Sequence, residues 1–237
     1  MDLVRNLWNL ANRLAAAVML TLLAPVVLAV AVWIRIADGR GVLFVQDRAG
    51  KDGVPFRMLK FRSMVHDSVA LSAQLGIDDP FGLVENDPRI TACGRFLRRT
   101  SLDELPQLIN VVRGDMNLVG PRPDVLPQVA NYSAQDARRL EVKPGITGWA
   151  QVNGRDDIDW PTRFKLDRWY VDNWSPALDL RILWRTALTV QRGEPPVHVD
   201  TLNIERSGAP ELERSGAPGE DTVVIVRAEA ADYDRAA

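Results

Sequence analysis

From Leu14 to Ile34 the chain runs for 21 residues without a charge, and Thr21 carries the only hydroxyl in the run. A helix of that length can cross a hydrocarbon core. Any fold must therefore put this segment into lipid or discard it. Three arrangements compete. The first is a cleaved signal peptide, since Ala29-Val30-Ala31 resembles a cleavage site. The second is a simple transmembrane span. The third is a helix that enters the membrane, breaks at Ala24-Pro25 and returns to the same face. Arg5 and Arg13 precede the run, while Arg35, Arg40, Arg48 and Lys51 follow it. Positive charge on both flanks suits two cytoplasmic ends better than one translocated end. Pro25 removes a backbone hydrogen bond near the middle and favours a kink. The expectation from the residues is a membrane anchor over residues 1–40, with a spanning path and a re-entrant path broken at Pro25 both open.

The remaining length bounds the rest of the chain. With 237 residues there is room for a domain with a real core beyond the anchor. A net charge of −2 argues against a general nucleic-acid binder. From Glu205 onward there are eight acidic and four basic residues, so the rest of the chain is slightly basic, with clustered arginines. Cys93 is the only cysteine, which rules out an intrachain disulfide and suggests a reducing compartment, with Cys93 in packing. His66 and His198 are far apart and lack metal-ligand spacing; both are expected at the surface.

After the anchor, apolar β-prone runs at 42–48 and 54–61 flank Ala49-Gly-Lys-Asp-Gly53, a hairpin signal. Lys60 and Arg62 fall on one face of its second strand. That pair could hold a diphosphate, or could simply be solvated. Helices are expected at 65–75, from about Ile90 to Arg99, and at 124–139, with a loop over 76–88. Glycines punctuate 143–155, where they either let backbone approach a ligand or only make turns. Aromatic residues crowd 159–174. The amphipathic segment 178–190, with Arg181, Trp184 and Arg185, suits either a membrane surface or the domain core. The segment 196–237, domain-free by composition, repeats Glu-Arg-Ser-Gly-Ala-Pro at 205 and 213 and reads as a disordered tail. The fold class expected is α/β or α+β, mainly helical with a small β-hairpin or sheet, and a catalytic body over 41–195.

Thr100-Ser-Leu-Asp-Glu-Leu-Pro-Gln107 is the stretch where chemistry concentrates. It sets Asp103 and Glu104 side by side, with Arg98 and Arg99 before them and Gly120-Pro-Arg-Pro123 after. Leu102, Leu105, Ile109 and Val112 recur at helical spacing. Ser101 reads as an N-cap, which places the two carboxylates in an anion-favouring first turn. The competing reading is a capping box in which Glu104 merely satisfies the Ser101 N–H.

Four segments in order, Lys60-Phe-Arg-Ser-Met64, Leu102-Asp-Glu-Leu-Pro-Gln107, Gly120-Pro-Arg-Pro123 and Gly145-Ile-Thr-Gly-Trp-Ala-Gln-Val-Asn-Gly-Arg155, follow an N-terminal hydrophobic segment. Together they resemble the bacterial monotopic polyprenyl-phosphate phosphoglycosyl transferases, or initiating sugar transferases, over about residues 10–195. The resemblance implies transfer of a sugar phosphate from a UDP-sugar to a polyprenyl phosphate, the undecaprenyl form by analogy, with release of UMP. It implies Asp103 as nucleophile, forming a covalent phosphosugar-aspartate, and Glu104 as the ligand of Mg²⁺. Arg98 and Arg122 match phosphate-contacting arginines, and Lys60 and Arg62 would wall the site. It further implies the cytosolic face of the bacterial inner membrane, a re-entrant hairpin whose usual Ser-Pro break is Ala24-Pro25 here, and a first step in surface-glycan assembly. A homodimer or partners in glycan assembly are compatible with it. Two alternatives stand beside it: a Mg²⁺-dependent membrane-bound nucleotide-sugar hydrolase, and a non-enzymatic scaffold.

Overall fold

The computed structural model describes residues 2–76, 87–154 and 158–192. The tail 196–237, His198, most of the 76–88 loop and Arg155 lie outside the described residues. The chain is mainly helical, with two small sheets among the described residues.

Helix α1 (Asp2–Ala37) contains the whole uncharged run. It is long and apolar enough to cross a membrane. Its two sides differ. Trp8, Asn12, Ala16, Leu20, Leu23, Val27, Val30 and Ile34 form a spaced row turned toward the rest of the protein, whereas Leu3, Leu7, Leu10, Leu14, Val18, Leu22 and Val26 are exposed. Both halves of α1 pack on the same body. The first half is stitched by polar bonds: Trp8 Nε1 to Asp179 Oδ2 at 2.7 Å, Arg13 Nε to the Val112 carbonyl at 2.9 Å, and the Leu118 N–H to Asn12 Oδ1 at 3.0 Å. The second half buries Val30 and Ile34 against Phe61, Cys93 and Leu97. The break expected at Ala24-Pro25 is not present as an interruption, because the helix continues on both sides. Pro25 is exposed, and its missing N–H cannot donate to the Thr21 carbonyl.

Strands β1 (Leu43–Ala49) and β2 (Pro55–Phe61) form the expected antiparallel hairpin, with Leu43 opposite Phe61. Asp52 supplies a left-handed residue in the turn between them. Helices α2 (Ser68–Leu75) and α3 (Ala92–Arg99) follow; Thr91 caps α3 by accepting from the Gly94 N–H at 2.9 Å. Helix α4 (Gln107–Arg113) ends at Gly114, whose φ of 92° only glycine tolerates easily. Its buried face is Leu108 and Val111, one register away from the expected Ile109 and Val112, which are only half-buried.

Beyond α4, β3 (Asn117–Val119) pairs in parallel with β4 (Gly145–Thr147). The helix expected over 124–139 is instead a short α5 (Leu126–Val129) and a 3₁₀ segment, Asp136–Glu141. Arg139 within the latter is buried and pairs with two carboxylates, Asp124 and Asp167. A short α6 (Trp149–Val152) leads to α7 (Trp160–Asn173), capped by Asp159, and α8 (Pro176–Arg192). The main core joins Ala16 of α1 to Leu108, Met116, Trp149, Leu166 and Ile182. Helix α8 packs on the core through Leu178 and Ile182, while Leu180 and Trp184 on its other side are exposed. Cys93 is buried and His66 exposed, as the sequence suggests.

Candidate active site

Asp103 and Glu104 sit in a 3₁₀ turn, Leu102–Glu104, between α3 and α4. Ser101 enters that turn in the left-handed region (φ 56°, ψ 17°) and makes no side-chain cap. The expected capping box is therefore absent. A non-glycine residue in this conformation is strained, and such strain collects where the surroundings fix an unusual chain path. Here the turn carries Asp103 and Glu104 directly after α3, whose last turn supplies Arg98.

Glu104 is the hub. Its Oε1 accepts from Lys60 Nζ at 3.2 Å and from Arg122 Nη1 at 3.0 Å. Burial pushes its carboxyl up, but Arg122 and then Lys60 outweigh burial and hold it at about 2. Glu104 is thus ionised throughout the working range. Asp103 behaves oppositely. It is 7 % exposed, and burial, followed by the charge of Glu104, raises its carboxyl above the usual range despite Lys60, Arg98 and Arg122 nearby. Lys60 is lowered, by burial first and then by Arg122, more than Glu104 raises it.

Each cation has its own mounting. Lys60 lies on β2, which is docked on α4 by Asn110: the Leu59 N–H donates to Asn110 Oδ1 at 3.0 Å, and Asn110 Nδ2 donates to the Arg57 carbonyl at 2.8 Å. Arg98 leaves the last turn of α3 and its Nε donates to Ser63 Oγ at 2.9 Å. Gly94 makes that approach feasible, since a Cβ there would collide with the Ser63 backbone. Arg122 stands between Pro121 and Pro123, whose rings limit the local torsions. The site therefore gathers Asp103, Glu104, Lys60, Arg98 and Arg122.

Arg62 is not gathered with them. Its Nη2 donates to the Asp38 carbonyl at 2.7 Å, and its Nη1 meets the Arg40 carbonyl and His66 Nε2. Strand β2 ends at Phe61, so the alternation that would put Arg62 beside Lys60 stops one residue short. Arg62 instead ties the chain after β2 to the end of α1. Ala24 and Pro25, on the exposed side of α1, make no part of this cluster.

Two groups of residues went unread in the sequence. Asn110 is one. The other is Arg139, which joins Asp124 and Asp167 in ion pairs, the latter at 2.6 Å, and donates from Nη2 to the Arg122 carbonyl at 2.9 Å. Tyr132 OH also bonds Asp124. Arg139 is 3 % exposed, and its two carboxylates overcome burial to hold its proton more tightly than usual. It fixes the turn that presents Arg122. The only sequence signal was a pair of arginines in an apparently ordinary amphipathic segment. Of the glycines expected over 143–155 to make turns or approach a ligand, Gly154 lies in a turn. A Cβ at Gly120 would strike the Lys143 carbonyl, and one at Gly145 would strike the Gly120 backbone, so they let two backbones cross closely.

Among the described residues no cluster of three metal-ligating His, Cys, Asp or Glu side chains occurs. Mg²⁺ nevertheless accepts one or two carboxylates plus phosphate and water oxygens. The ionised Glu104, with both its bonds on the same oxygen, is a donor of the right hardness for that ion.

The family described as bacterial sugar transferase matches residues 4–193. An uncharacterised sugar transferase, EpsL, of Bacillus subtilis is 43% identical over 192 residues, covering 81% of this chain and 91% of that protein. The undecaprenyl-phosphate galactose phosphotransferase of Salmonella typhimurium is 46% identical over 169 residues, 68% of this chain but 36% of that longer protein. The UDP-glucose:undecaprenyl-phosphate glucose-1-phosphate transferase of Escherichia coli is 41% identical over 189 residues, covering 75% and 38%. The four motifs, the cluster they assemble and the match across most of the chain agree: this protein belongs to the bacterial sugar transferase family of initiating phosphoglycosyl transferases.

Proposed function

We propose that this protein transfers a sugar phosphate from a UDP-sugar to a polyprenyl phosphate, releasing UMP, by two displacements at Asp103. The observation that carries the reading is the contrast within one dipeptide: Glu104 is held ionised by Lys60 and Arg122, while Asp103 is buried beside it without a direct ion pair among the described residues. Glu104 is occupied; Asp103 is available to react. In the first step an Asp103 carboxylate oxygen bonds to the sugar-bearing phosphorus. The bridging P–O bond breaks, and its electron pair leaves with UMP. In the second step a polyprenyl phosphate oxygen bonds to the same phosphorus and the carboxylate leaves. Neither step needs a proton donor, because a phosphate oxyanion is the leaving group in the first and a carboxylate in the second.

Lys60, Arg98 and Arg122 offset the repulsion between the two carboxylates and an incoming diphosphate. Glu104 would hold Mg²⁺, which when bound supplies further charge neutralisation on the diphosphate. Similarity to the Salmonella and E. coli proteins, whose names specify undecaprenyl phosphate, supports that acceptor class.

The packing of α1 supports entry from one membrane face. Its Trp8 end and its Ile34 end both hold the same folded body, so passing α1 straight through a bilayer would drag that body into lipid. The outward row from Leu3 to Val26 is left to meet hydrocarbon, with the catalytic body on the cytosolic side where arginines flank the run. In bacteria this is the inner membrane, where such a product starts a surface glycan.

The test is nucleotide release by detergent-purified protein with Mg²⁺, across several UDP-sugars, with and without polyprenyl phosphate. UMP that accumulates only with lipid, and a stoichiometric burst without it, are expected. Sustained UMP without lipid would mean hydrolysis, and UDP in place of UMP would contradict the mechanism.

A further inference from the structure

Beside the carboxylates, between α1, α4, α6 and α8, lies a cavity of about 270 Å³ whose wall includes Glu104 and Arg122. Leu105, Leu108, Ile146 and Leu183 make much of that wall aliphatic, and Met19 contributes from α1. Apolar walls next to a membrane helix suggest the lipid tail as occupant. Three polar atoms oppose that reading. Gln151 and Asp167 line the same cavity, and Gln151 Oε1, Gln151 Nε2 and Asp167 Oδ1 are buried with no hydrogen-bond partner among the described residues. The contrast with nearby hydroxyls is instructive: Thr147 and Thr186, also in the wall, satisfy each other at 2.8 Å.

Hydrocarbon in this cavity would seal both ends of an amide and a carboxylate oxygen away from any partner, which is costly. A phosphate fares no better against Asp167, whose side chain is 1 % exposed and whose other oxygen is already held by Arg139. The phosphates belong with Lys60 and Arg122 instead. What suits one amide donor, two acceptors and aliphatic walls is a neutral ring bearing hydroxyls. Its O–H groups donate to Asp167 Oδ1 and Gln151 Oε1, its oxygens accept from Gln151 Nε2, and its C–H faces lie on leucine and isoleucine.

We infer that this cavity seats the sugar ring of the donor, and that Gln151 and Asp167 read its hydroxyls and so determine which sugar is transferred. The inference rests on the proposed function. It places specificity on α6 and α7, whose backbones are fixed by the core, rather than on a surface loop.

The experiment uses full-length protein in detergent carrying Asp103→Asn, so that donors bind without turnover, with and without Gln151→Leu or Gln151→Asn. UDP-glucose, UDP-galactose, UDP-N-acetylglucosamine and UMP are titrated; acceptor KM is read in the active background. Replacing an unpartnered amide by leucine should leave the thermal midpoint unchanged or raised. Gln151→Leu should weaken the preferred UDP-sugar by about tenfold, as loss of a hydrogen bond or two does, and narrow the preference among sugars. UMP affinity and acceptor KM should not move. An equal loss for UMP would put Gln151 on the nucleotide, and a raised acceptor KM with unchanged donors would give the cavity to the lipid; either overturns the inference. So would an unchanged ranking of donors in both variants. Failure of unsubstituted protein to bind any nucleotide sugar would remove the proposed function as well, which distinguishes the two failures.

Discussion

Two clusters of the same ingredients lie one turn of chain apart and are built in opposite senses. At the candidate site one carboxylate, Glu104, is shared by two cations, Lys60 and Arg122, and Arg122 is 40 % exposed. Behind it one cation, Arg139, is shared by two carboxylates, Asp124 and Asp167, all nearly sealed from solvent. The first has cations to spare and an opening, so it can take up an anion without rearranging. In the second, Asp167 Oδ1 alone is turned to the neighbouring cavity, and the bond from Arg139 to the Arg122 carbonyl links the two clusters. Buried ion pairs of that kind are poor evidence of stability in themselves, but breaking one is costly. On the proposed function, the first cluster would do the chemistry and the second would hold Arg122 in place.

The largest way to break the comparison is at the group that belongs to neither pair. Asp103→Asn should lower the lipid-independent UMP burst by on the order of 10⁴-fold or more, as loss of a covalent nucleophile does. Its thermal midpoint should stay near that of the parent, since Asp103 makes no ion pair among the described residues. Residual turnover above a few per cent would remove it as nucleophile. Next, Arg139→Met should destabilise by about 3–5 kcal/mol, because two buried carboxylates lose their partner. Adding Asp124→Asn and Asp167→Asn should recover much of the midpoint without restoring Arg122 to its place, leaving activity low. Full activity in that triple variant would refute the positioning role.

At the open cluster the effects are kinetic. Glu104→Gln should cost about 10²–10³ in kcat, in line with loss of a preorganised charge, and should flatten the response to added Mg²⁺. An unchanged Mg²⁺ titration would contradict the ligand role. Arg122→Lys keeps the charge but loses the planar fork, and should raise the donor KM by about tenfold with a smaller change in kcat. A kcat effect alone would mean that Arg122 acts only on the transition state.

Much of the site was legible because its parts are local. The hairpin, helix α3 and the Asp103-Glu104 pair follow from turn residues, spacing and adjacent charges within a dozen positions. What escaped depends on distant crossings. The 3₁₀ turn at Leu102–Glu104 looks like a helix start in sequence, and only Ser101 in the left-handed region makes it otherwise. Arg62 matches Lys60 in period but not in direction, because β2 ends between them. Arg139 and Asn110 resemble ordinary surface residues until β2 and the Pro121–Pro123 turn are laid over them. The glycines at 120 and 145 announce close approach without saying to what; the answer is each other's backbone. Pro25 advertised a break, yet α1 passes through it with its inward row from Trp8 to Ile34 intact.

The central claim is that a sugar phosphate becomes bonded to Asp103, and intact-mass measurement tests it most directly. Protein incubated with its UDP-sugar and Mg²⁺ in the absence of lipid should gain the mass of one sugar phosphate. Peptide fragmentation should locate that mass at Asp103, and polyprenyl phosphate should discharge it. Turnover to lipid product without any such adduct, or an adduct that persists in Asp103→Asn, would contradict the account.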